Sequence, residues 1–518
     1  MKKQNKLLQS IRPYLPWVCL AIVVLLAIFM RFYKLNSLPP GLHPDEAANG
    51  LDIFRILEHH DIRAIYNTNG PRESLFFFLQ SIGVMLFGNT IFALRVAPAA
   101  LGVLAVVMVY VLATELYGRR TGLIASFFMA VNPWVVIISR DGFRASLVPL
   151  FMATVLYSCA RAYRSGKTTW FVFAAIVAGL GMYTYTAYGA FWLALVGLIL
   201  AAAIWRRDWW KLHYRQVLIS AAVSLAMLIP LVVTIVRHPG DSTARAGGTS
   251  FLNSDLNKGQ PVQTFALNTY KTVIQYNITA DQNPRHNIPA EPLLNIFVGL
   301  AMLVGIVLAA YYFKQLRYGG IILVFATMLI PVVVSAEGIP HALRSVGTIV
   351  PVFLLAGVGV NYLLQRWYKT FPVNNLARVT GLLLILILMG LTAVQGVKGY
   401  FWAWGQDPRT YAAYSEDMVT IANYLNGHVG NNTNYLVAGG YGAMPVEYLT
   451  HNHTKYTLID LDGVRNLPLN GGPRLFIVPV GDQTQDVLDA LKVKFPNASV
   501  APINSGFSGK VLFYAVQT

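Results

Sequence analysis

Acidic residues are scarce in this chain. Asp and Glu number 23 against 40 Lys and Arg in 518 residues, and only 12% of positions are charged. Soluble domains carry about 25% charged residues, so a string of soluble domains is excluded. Cysteine is scarcer still. Cys19 and Cys159 both fall inside apolar runs, which leaves no disulfide framework and no cysteine metal cluster. No Walker-type phosphate loop is present either. What the chain has is apolar surface: 55% of residues are hydrophobic and the mean hydropathy is +0.51. The composition is that of a polytopic membrane protein. The formal net charge of +17 comes from short basic clusters between apolar runs. The positive-inside rule accounts for these clusters, so no nucleic-acid partner is expected.

Eleven apolar stretches are long enough to count as spans: 17–35, 92–116, 122–139, 145–163, 170–187, 189–205, 216–236, 292–313, 320–336, 346–365 and 379–398. The first follows Lys2, Lys3, Lys6 and Arg12. No small-residue cleavage site follows it, so it reads as a retained helix. Segment 74–88 is apolar but short for a crossing, which needs about 20 residues. If it crossed, the later basic clusters (Arg119-Arg120, Arg161 to Lys167, Arg206 to Arg215, Lys314 to Arg317, Arg366 to Arg378) would face away from the basic N-terminus. If it lies in the outer interface, all five join the N-terminus in the cytoplasm. The second arrangement is the expectation. It puts loops 36–91 and 237–291 and everything after 399 outside the cytoplasm, at the cell membrane of a multi-pass protein. Loop 237–291, rich in Gly, Asn and Thr, is a candidate lid.

From about residue 405 the pattern changes. Strands are expected at Asn434-Tyr-Leu-Val-Ala, Lys455 to Asp460, Arg474 to Pro479 and Lys510 to Val516. Helices are expected at Tyr411 to Leu425 and Thr484 to Lys494. Alternating strands and helices argue a small extracytoplasmic α/β domain over 405–518. The preceding 1–404 is then an all-α transmembrane domain of about eleven helices. Gly439-Gly440-Tyr441-Gly442 lacks full GxGxxG spacing, and reads better as a strand-to-helix turn than as a phosphate loop.

The outer loops gather the chemistry. Asp45 and Glu46 follow Pro44 just past the first span. Pro in a first turn and acids at a helix N-terminus suit a plain helix start; a carboxylate there also suits a general base. Arg140-Asp141-Gly142-Phe143-Arg144 lies between two spans, with arginines on the side the charge rule disfavours. Tyr183, Tyr185 and Tyr188 end another helix pair. Interfacial tyrosines are usual, but sugar sites also use aromatics, so Asp141, Tyr183 and Tyr188 are candidate substrate contacts. His341 and Arg344 share a turn at i, i+3. Arg344, His341, Arg140 and Arg72 are candidate ligands of a donor phosphate, for which arginine offers a planar fork. No metal-ligand spacing stands out. A zinc set of His238, Asp241 and His286 lacks support. A divalent ion at Asp45 or Asp141 would be Mg²⁺ or Mn²⁺, because hard cations take oxygen ligands. Arginines that stabilise a leaving phosphate and a carboxylate that takes the acceptor proton make one economical transfer mechanism, and a single base with in-line attack inverts the anomeric centre.

The order of a first span, His43-Pro44-Asp45-Glu46-Ala47, an apolar Leu75-Phe76-Phe77-Phe78-Leu79-Gln80 segment and Ala93-Leu94-Arg95-Val96-Ala97-Pro98 resembles the GT-C glycosyltransferases. The similarity is to glycosyltransferase family 39 and its relatives, the branch of protein O-mannosyltransferases and lipid A aminoarabinose transferases. It is sharpest over 40–165, and Pro340-His341-Ala342-Leu343-Arg344-Ser345 matches more loosely. The resemblance implies transfer of a sugar from a polyprenyl-phosphate donor with inversion. It also implies membrane lipids as surroundings, Asp45 and Glu46 as the catalytic pair, and Arg344 as the best match to the donor-phosphate groups. Pro71-Arg72-Glu73 departs from the family's Pro-Pro-Leu-Tyr-Tyr pattern, and the tail lacks the Trp-Trp-Asp signature of oligosaccharyltransferases. The acceptor stays open among lipid, cell-wall polymer, glycan and protein. The rival readings are a lipid-linked sugar transporter and a non-catalytic polysaccharide-assembly subunit. Transporters hold charges mid-membrane on broken or repeated helices, whereas these charges lie in loops.

Overall fold

The computed structural model describes residues 14–237, 250–428, 432–469 and 472–518. The basic N-terminal residues Lys2, Lys3, Lys6 and Arg12, and His238 and Asp241 of the zinc set, lie outside the described residues. The chain forms two compact units. The first comprises Met1–Tyr33, Arg63–Phe76 and Pro98–Trp404; the second comprises Lys34–Ile62, Phe77–Ala97 and Gly405–Thr518.

The first unit is a helix assembly. Each of the eleven apolar stretches is helical. Among the described residues, eight helices are long and apolar enough to cross a membrane: Leu15–Phe32, Ile91–Tyr117, Arg144–Ser165, Thr186–Trp205, Arg207–Arg237, Leu316–Val333, Arg344–Thr370 and Asn375–Trp404. The helices Arg119–Val131 and Pro133–Arg140 meet that measure only when taken together, and they are bent by 63° at the break, the geometry of a broken span or a re-entrant loop. The break has a local cause. Asn132 leaves the helix and caps the next one, its Oδ1 accepting the Val135 amide at 3.3 Å, and Pro133 takes the first turn. The stretches at 170–187 and 292–313 form helices of only 14 and 16 residues, Thr168–Gly181 and Ile296–Tyr311. They are shorter than the expected spans. Segment 74–88 forms Leu75–Phe87, 13 residues or about 20 Å at 1.5 Å per residue. That is short of a hydrocarbon core of about 30 Å. The described part of the expected lid is not structureless: it contains the helices Ser254–Asn257 and Pro261–Ile274.

Helix Ile349–Thr370 is central to the unit. Its most apolar window is 83% buried, the highest share among the candidate spans. It packs against Ile296–Tyr311 by backbone approach. A Cβ on Gly305 would collide with the carbonyl of Leu355, and one on Gly359 with that of Ala301. Small residues are what let membrane helices come this close.

In the second unit a five-stranded sheet has the order β4-β3-β5-β7-β6. The strands are β3 (Thr433–Val437), β4 (Thr457–Ile459), β5 (Arg474–Pro479), β6 (Ser499–Asn504) and β7 (Val511–Gln517). β3 pairs parallel with β4 and β5; β7 runs antiparallel to β5 and β6. Period-two alternation along β5 supplies both layers. Leu475 and Ile477 join Ile421, Leu425 and Val446 on one face. Phe476 and Val478 join Val464, Val487 and Leu491 on the other. The helix expected over Tyr411 to Leu425 is two helices, Pro408–Ala413 and Glu416–Gly427, parted at Ser415 with φ +51°. Strand β6 is unforeseen. Pro502 argues against a strand, but an edge strand tolerates proline, and β6 is an edge.

Gly305→Val and Gly359→Val should each destabilise the helix assembly by roughly 1–3 kcal/mol through overpacking. Thermal unfolding in detergent checks this, with Gly427→Ala, where an added Cβ meets nothing within 4 Å, as the neutral control.

Candidate active site

Helix Pro44–His59 begins where the sequence places the carboxylates. His43 is its N-cap, with Nδ1 accepting the Asp45 amide at 3.0 Å. Both acids sit in the first turn, so they also serve as ordinary helix-start residues. Neighbouring residues on a helix point about 100° apart, and here the two part company. Glu46 turns inward and is 1% exposed. Its Oε1 accepts Nε of Arg95 at 3.0 Å, and its Oε2 accepts Nη2 at 2.8 Å. Arg95 also donates to the carbonyls of Pro39 at 2.7 Å and Gly41 at 2.9 Å. Asp45 turns outward with 38% of its side chain exposed. Its Oδ1 accepts the hydroxyl of Tyr441 at 3.0 Å. Position alone paired the two as catalytic. The geometry gives Glu46 the task of anchoring the loop through Arg95 and leaves Asp45 partly exposed.

Tyr441 comes from the Gly439–Gly442 segment, in which Gly439 is the N-cap and residues 440–442 open helix Gly440–Thr450 after β3. That helix lies along Pro44–His59. Phe54 stacks on Tyr448 at 5.3 Å and on His451 at 3.9 Å. Nε2 of His451 lies 2.7 Å from Glu58, and this hydrogen bond holds the Glu58 carboxyl below its usual range. Sequence reasoning did not identify Tyr441 as a site residue. A lone tyrosine at a helix start carries no signal of a partner 396 positions away.

The other candidates belong to the first unit, and most have structural tasks there. Arg140 is fully buried and donates to the carbonyls of Met30 and Tyr33, both at 2.8 Å, at the end of helix Leu15–Phe32. This is a helix C-cap, a different task from phosphate binding. Asp141 is also fully buried, and its Oδ1 accepts the Gly142 amide. Tyr183 donates to the carbonyl of Met227 at 2.8 Å and accepts the Leu231 amide at 3.3 Å. It is inserted into the helix ladder beside Pro230, where proline interrupts the pattern. Tyr188 is buried in the helical core, edge-on to Phe191. Tyr188, fully buried, offers no open face to a sugar. Arg72 is buried in a short ribbon of β1 (Ile65–Tyr66) and β2 (Arg72–Glu73).

Its neighbour Glu73 is a hub that sequence reasoning missed. One oxygen accepts the hydroxyl of Thr186 at 2.7 Å. The other forms a close ion pair with Nε of Arg144 at 2.8 Å, and that guanidinium lies over the Tyr185 ring. Arg344 is the exception among the basic candidates. It donates to the carbonyl and carboxylate of Glu337 at 2.9 and 3.0 Å and contacts Ser335. Its side chain is 18% exposed, and that of Glu337 is 63% exposed. His341 accepts the Arg344 amide at Nδ1. Burial, then the neighbouring His286 and Arg344, push His341 down to about 2, so it is a neutral imidazole. It does not offer a phosphate a positive charge.

Residues 72–233 match the family model described as dolichyl-phosphate-mannose-protein mannosyltransferase. Over 171 residues the chain is 31% identical to YkcB of Bacillus subtilis (strain 168), provisionally named a mannosyltransferase. That region is 32% of this chain and 24% of the relative, so the match spans about a quarter of the relative's length. Two crystal structures share the architecture. ArnT of Cupriavidus metallidurans, solved with undecaprenyl phosphate, has a TM-score of 0.54 at 16% identity, covering 97% of this chain and 98% of that one. The Archaeoglobus fulgidus oligosaccharyltransferase, solved with a tethered acceptor peptide, has a TM-score of 0.56 at 13% identity, covering 87% of this chain and 64% of that one. The fold is that of the GT-C glycosyltransferases. The resemblance to the family 39 branch holds, and its sequence match falls on residues 72–233.

Breaking the buried Glu46–Arg95 pair from either side should cost about 3–5 kcal/mol. Arg95→Met should cost more than Glu46→Gln, because two carbonyls lose their donor as well. Glu46→Leu combined with Arg95→Met should recover part of the loss. Denaturation of the detergent-solubilised variants gives the ranking.

Proposed function

We propose that the chain is an inverting glycosyltransferase that moves a sugar from a polyprenyl-phosphate-linked donor to an acceptor on the extracytoplasmic face of the membrane. The observation that carries this reading is Asp45. It is an accessible carboxylate on the loop after the first apolar helix, oriented by Tyr441 and seated beside an anchored Glu46. The GT-C fold and the mannosyltransferase match over residues 72–233 support the class of reaction. The undecaprenyl phosphate held by ArnT supports the class of donor.

In the proposed reaction Asp45 takes the proton of the acceptor hydroxyl as that oxygen attacks the anomeric carbon. The bond from that carbon to the phosphate oxygen breaks, and the lipid phosphate leaves with the electron pair. One base and one in-line displacement invert the configuration. Arg344 is the group proposed for the leaving phosphate. The carboxylate of Glu337 now occupies its guanidinium, and a phosphate exchanges one anion for another at a fork suited to both. Glu46 acts through position, because its oxygens are engaged with Arg95.

Membranes carrying the wild-type chain should release sugar from a matched member of a radiolabelled polyprenyl-phosphate-sugar panel. Asp45→Asn at equal expression should lower turnover by about a hundredfold or more, the scale of a lost general base. Arg344→Ala should lower it by roughly a hundred- to a thousandfold. Equal turnover in wild type and Asp45→Asn would remove Asp45 from the mechanism.

The proposed orientation has its own test. Alkaline phosphatase fused after Thr518 should be active, and the same reporter fused after Arg378 should be silent. The reverse pattern would place the α/β unit in the cytoplasm.

A further inference from the structure

Five helices of the first unit enclose a cavity of about 830 Å³: Arg144–Ser165, Thr168–Gly181, Thr186–Trp205, Arg207–Arg237 and Leu316–Val333. Most of its wall is apolar, as at Val155, Ala175, Leu195, Ala221 and Val324. One end is basic. Arg164, Arg206 and Arg317 line it, each at or beside a helix end, and no acid lines the cavity among the described residues. Arg206 and Arg317 are exposed. Arg164 pairs with Glu115 at 2.9 Å, yet 54% of its side chain stays exposed. Arg317 donates to the Leu116 carbonyl at 3.3 Å and to Gln315 at 3.2 Å. Tyr163 and Trp209 line the same end; the indole donates to the Tyr163 carbonyl at 2.9 Å, and the rings lie 5.0 Å apart. Such aromatics sit at headgroup level in membrane proteins. Trp192 and Ser224 line the cavity farther along. They are 14 and 18 residues from Arg206 in the chain, about 21 and 27 Å at 1.5 Å per residue. One leaflet with its headgroups is about 20–22 Å thick, so the cavity is about as deep as one leaflet.

We propose that this cavity holds an acyl chain of an anionic phospholipid, with the lipid's phosphate among Arg164, Arg206 and Arg317. The lipid belongs to the leaflet on the side of the basic clusters, which is the cytoplasmic one in the proposed orientation. Protein interiors are close-packed, and an apolar space between membrane helices is filled by hydrocarbon at no cost in lost hydrogen bonds. The charge at the mouth chooses the headgroup. Arginine forks suit a phosphate, and basic pockets between membrane helices attract anionic lipids. A zwitterionic headgroup brings its own cation and gains less. The two outer walls need such a filler. Only 11% of the apolar window of Arg207–Arg237 and 22% of that of Thr186–Trp205 is buried within the protein. The proposed sugar donor is a different occupant. Arg344, its proposed phosphate ligand, follows the far end of helix Leu316–Val333, whose first turn carries Arg317. That helix has 18 residues, about 27 Å. A phosphate at Arg344 therefore leaves the three arginines of the mouth without an anion.

The test is native mass spectrometry of the full chain, purified and delipidated in detergent, then titrated with phosphatidylglycerol or phosphatidylcholine. Wild type should hold one phosphatidylglycerol at least tenfold more tightly than phosphatidylcholine, a comparison that needs no variant to fold. Arg206→Gln combined with Arg317→Gln should weaken phosphatidylglycerol binding roughly tenfold or more, the scale of two lost basic contacts, and leave phosphatidylcholine unchanged. Ala221→Trp, which fills the cavity from its wall, should weaken both lipids. Arg409→Gln, at an exposed arginine of the second unit, should bind as wild type does. Equal binding of the two lipids by wild type, or a double variant that keeps the preference, would overturn the headgroup site. Unchanged binding by Ala221→Trp would remove the chain from the cavity. Undecaprenyl phosphate that displaces phosphatidylglycerol from wild type but not from Arg344→Ala would give the cavity to the donor instead. The lipid comparisons need no transferase turnover, so failure of the proposed reaction and failure of the lipid site are told apart.

Discussion

Arg95 is completely buried, and a guanidinium out of water must have its donors met. It meets them with both oxygens of Glu46 and with the carbonyls of Pro39 and Gly41. A planar fork fixes the direction of its acceptors as well as their distance. The segment from 39 to 46 is therefore held at three points by one side chain. The start of helix Pro44–His59 follows from that hold, and the direction of Asp45 follows from the start of the helix. The exposed acid inherits its position from the buried one beside it.

Buried arginines solve a second problem in the helix assembly. The last carbonyls of a helix have no partner within it, and an apolar interior supplies no water. Arg140 donates to Met30 and Tyr33 at the end of one helix, and Arg31 donates to Ala130 at 3.0 Å at the end of another. A cation at a helix C-terminus is also favoured by the dipole. These are charges that the positive-inside rule counts by position in the chain. The rule cannot distinguish a guanidinium that faces headgroups from one that faces carbonyls inside the protein. That is why Arg140 read as a candidate phosphate ligand.

The legible parts of this chain are those set by local rules. Every apolar stretch became a helix, because in a membrane the backbone must satisfy itself within the segment. Pro44, Asp45 and Glu46 announced a helix start, and the structure has one with His43 as cap. The strands at Asn434, Lys455, Arg474 and Lys510 were visible from their β-branched and aromatic content; β6 was hidden by Pro502. The illegible parts depend on contacts far apart in sequence. Tyr441 meets Asp45 across 396 positions, and Glu73 draws in Thr186 and Arg144 from separate loops. Tyr183 and Tyr188 show the limit most directly. A tyrosine at a helix end has the same sequence context whether its hydroxyl faces water, a sugar or the carbonyl of Met227.

The ion pairs of the first unit differ in what they can exchange. Glu73 and Arg144 are 12% and 11% exposed, so either leaving the other strands a charge with little water to receive it. Arg344 pairs with Glu337, whose side chain is 63% exposed. A carboxylate so open is rehydrated when it swings into solvent, and the guanidinium it leaves keeps the Glu337 carbonyl and the Ser335 hydroxyl as acceptors. Arg344 can therefore change its anion, whereas Arg144 cannot do so without loss of structure. The rule that separates them is the exposure of the partner rather than that of the arginine itself. On this physical ground Arg344, among the basic residues singled out from sequence, is suited to a ligand that must come and go.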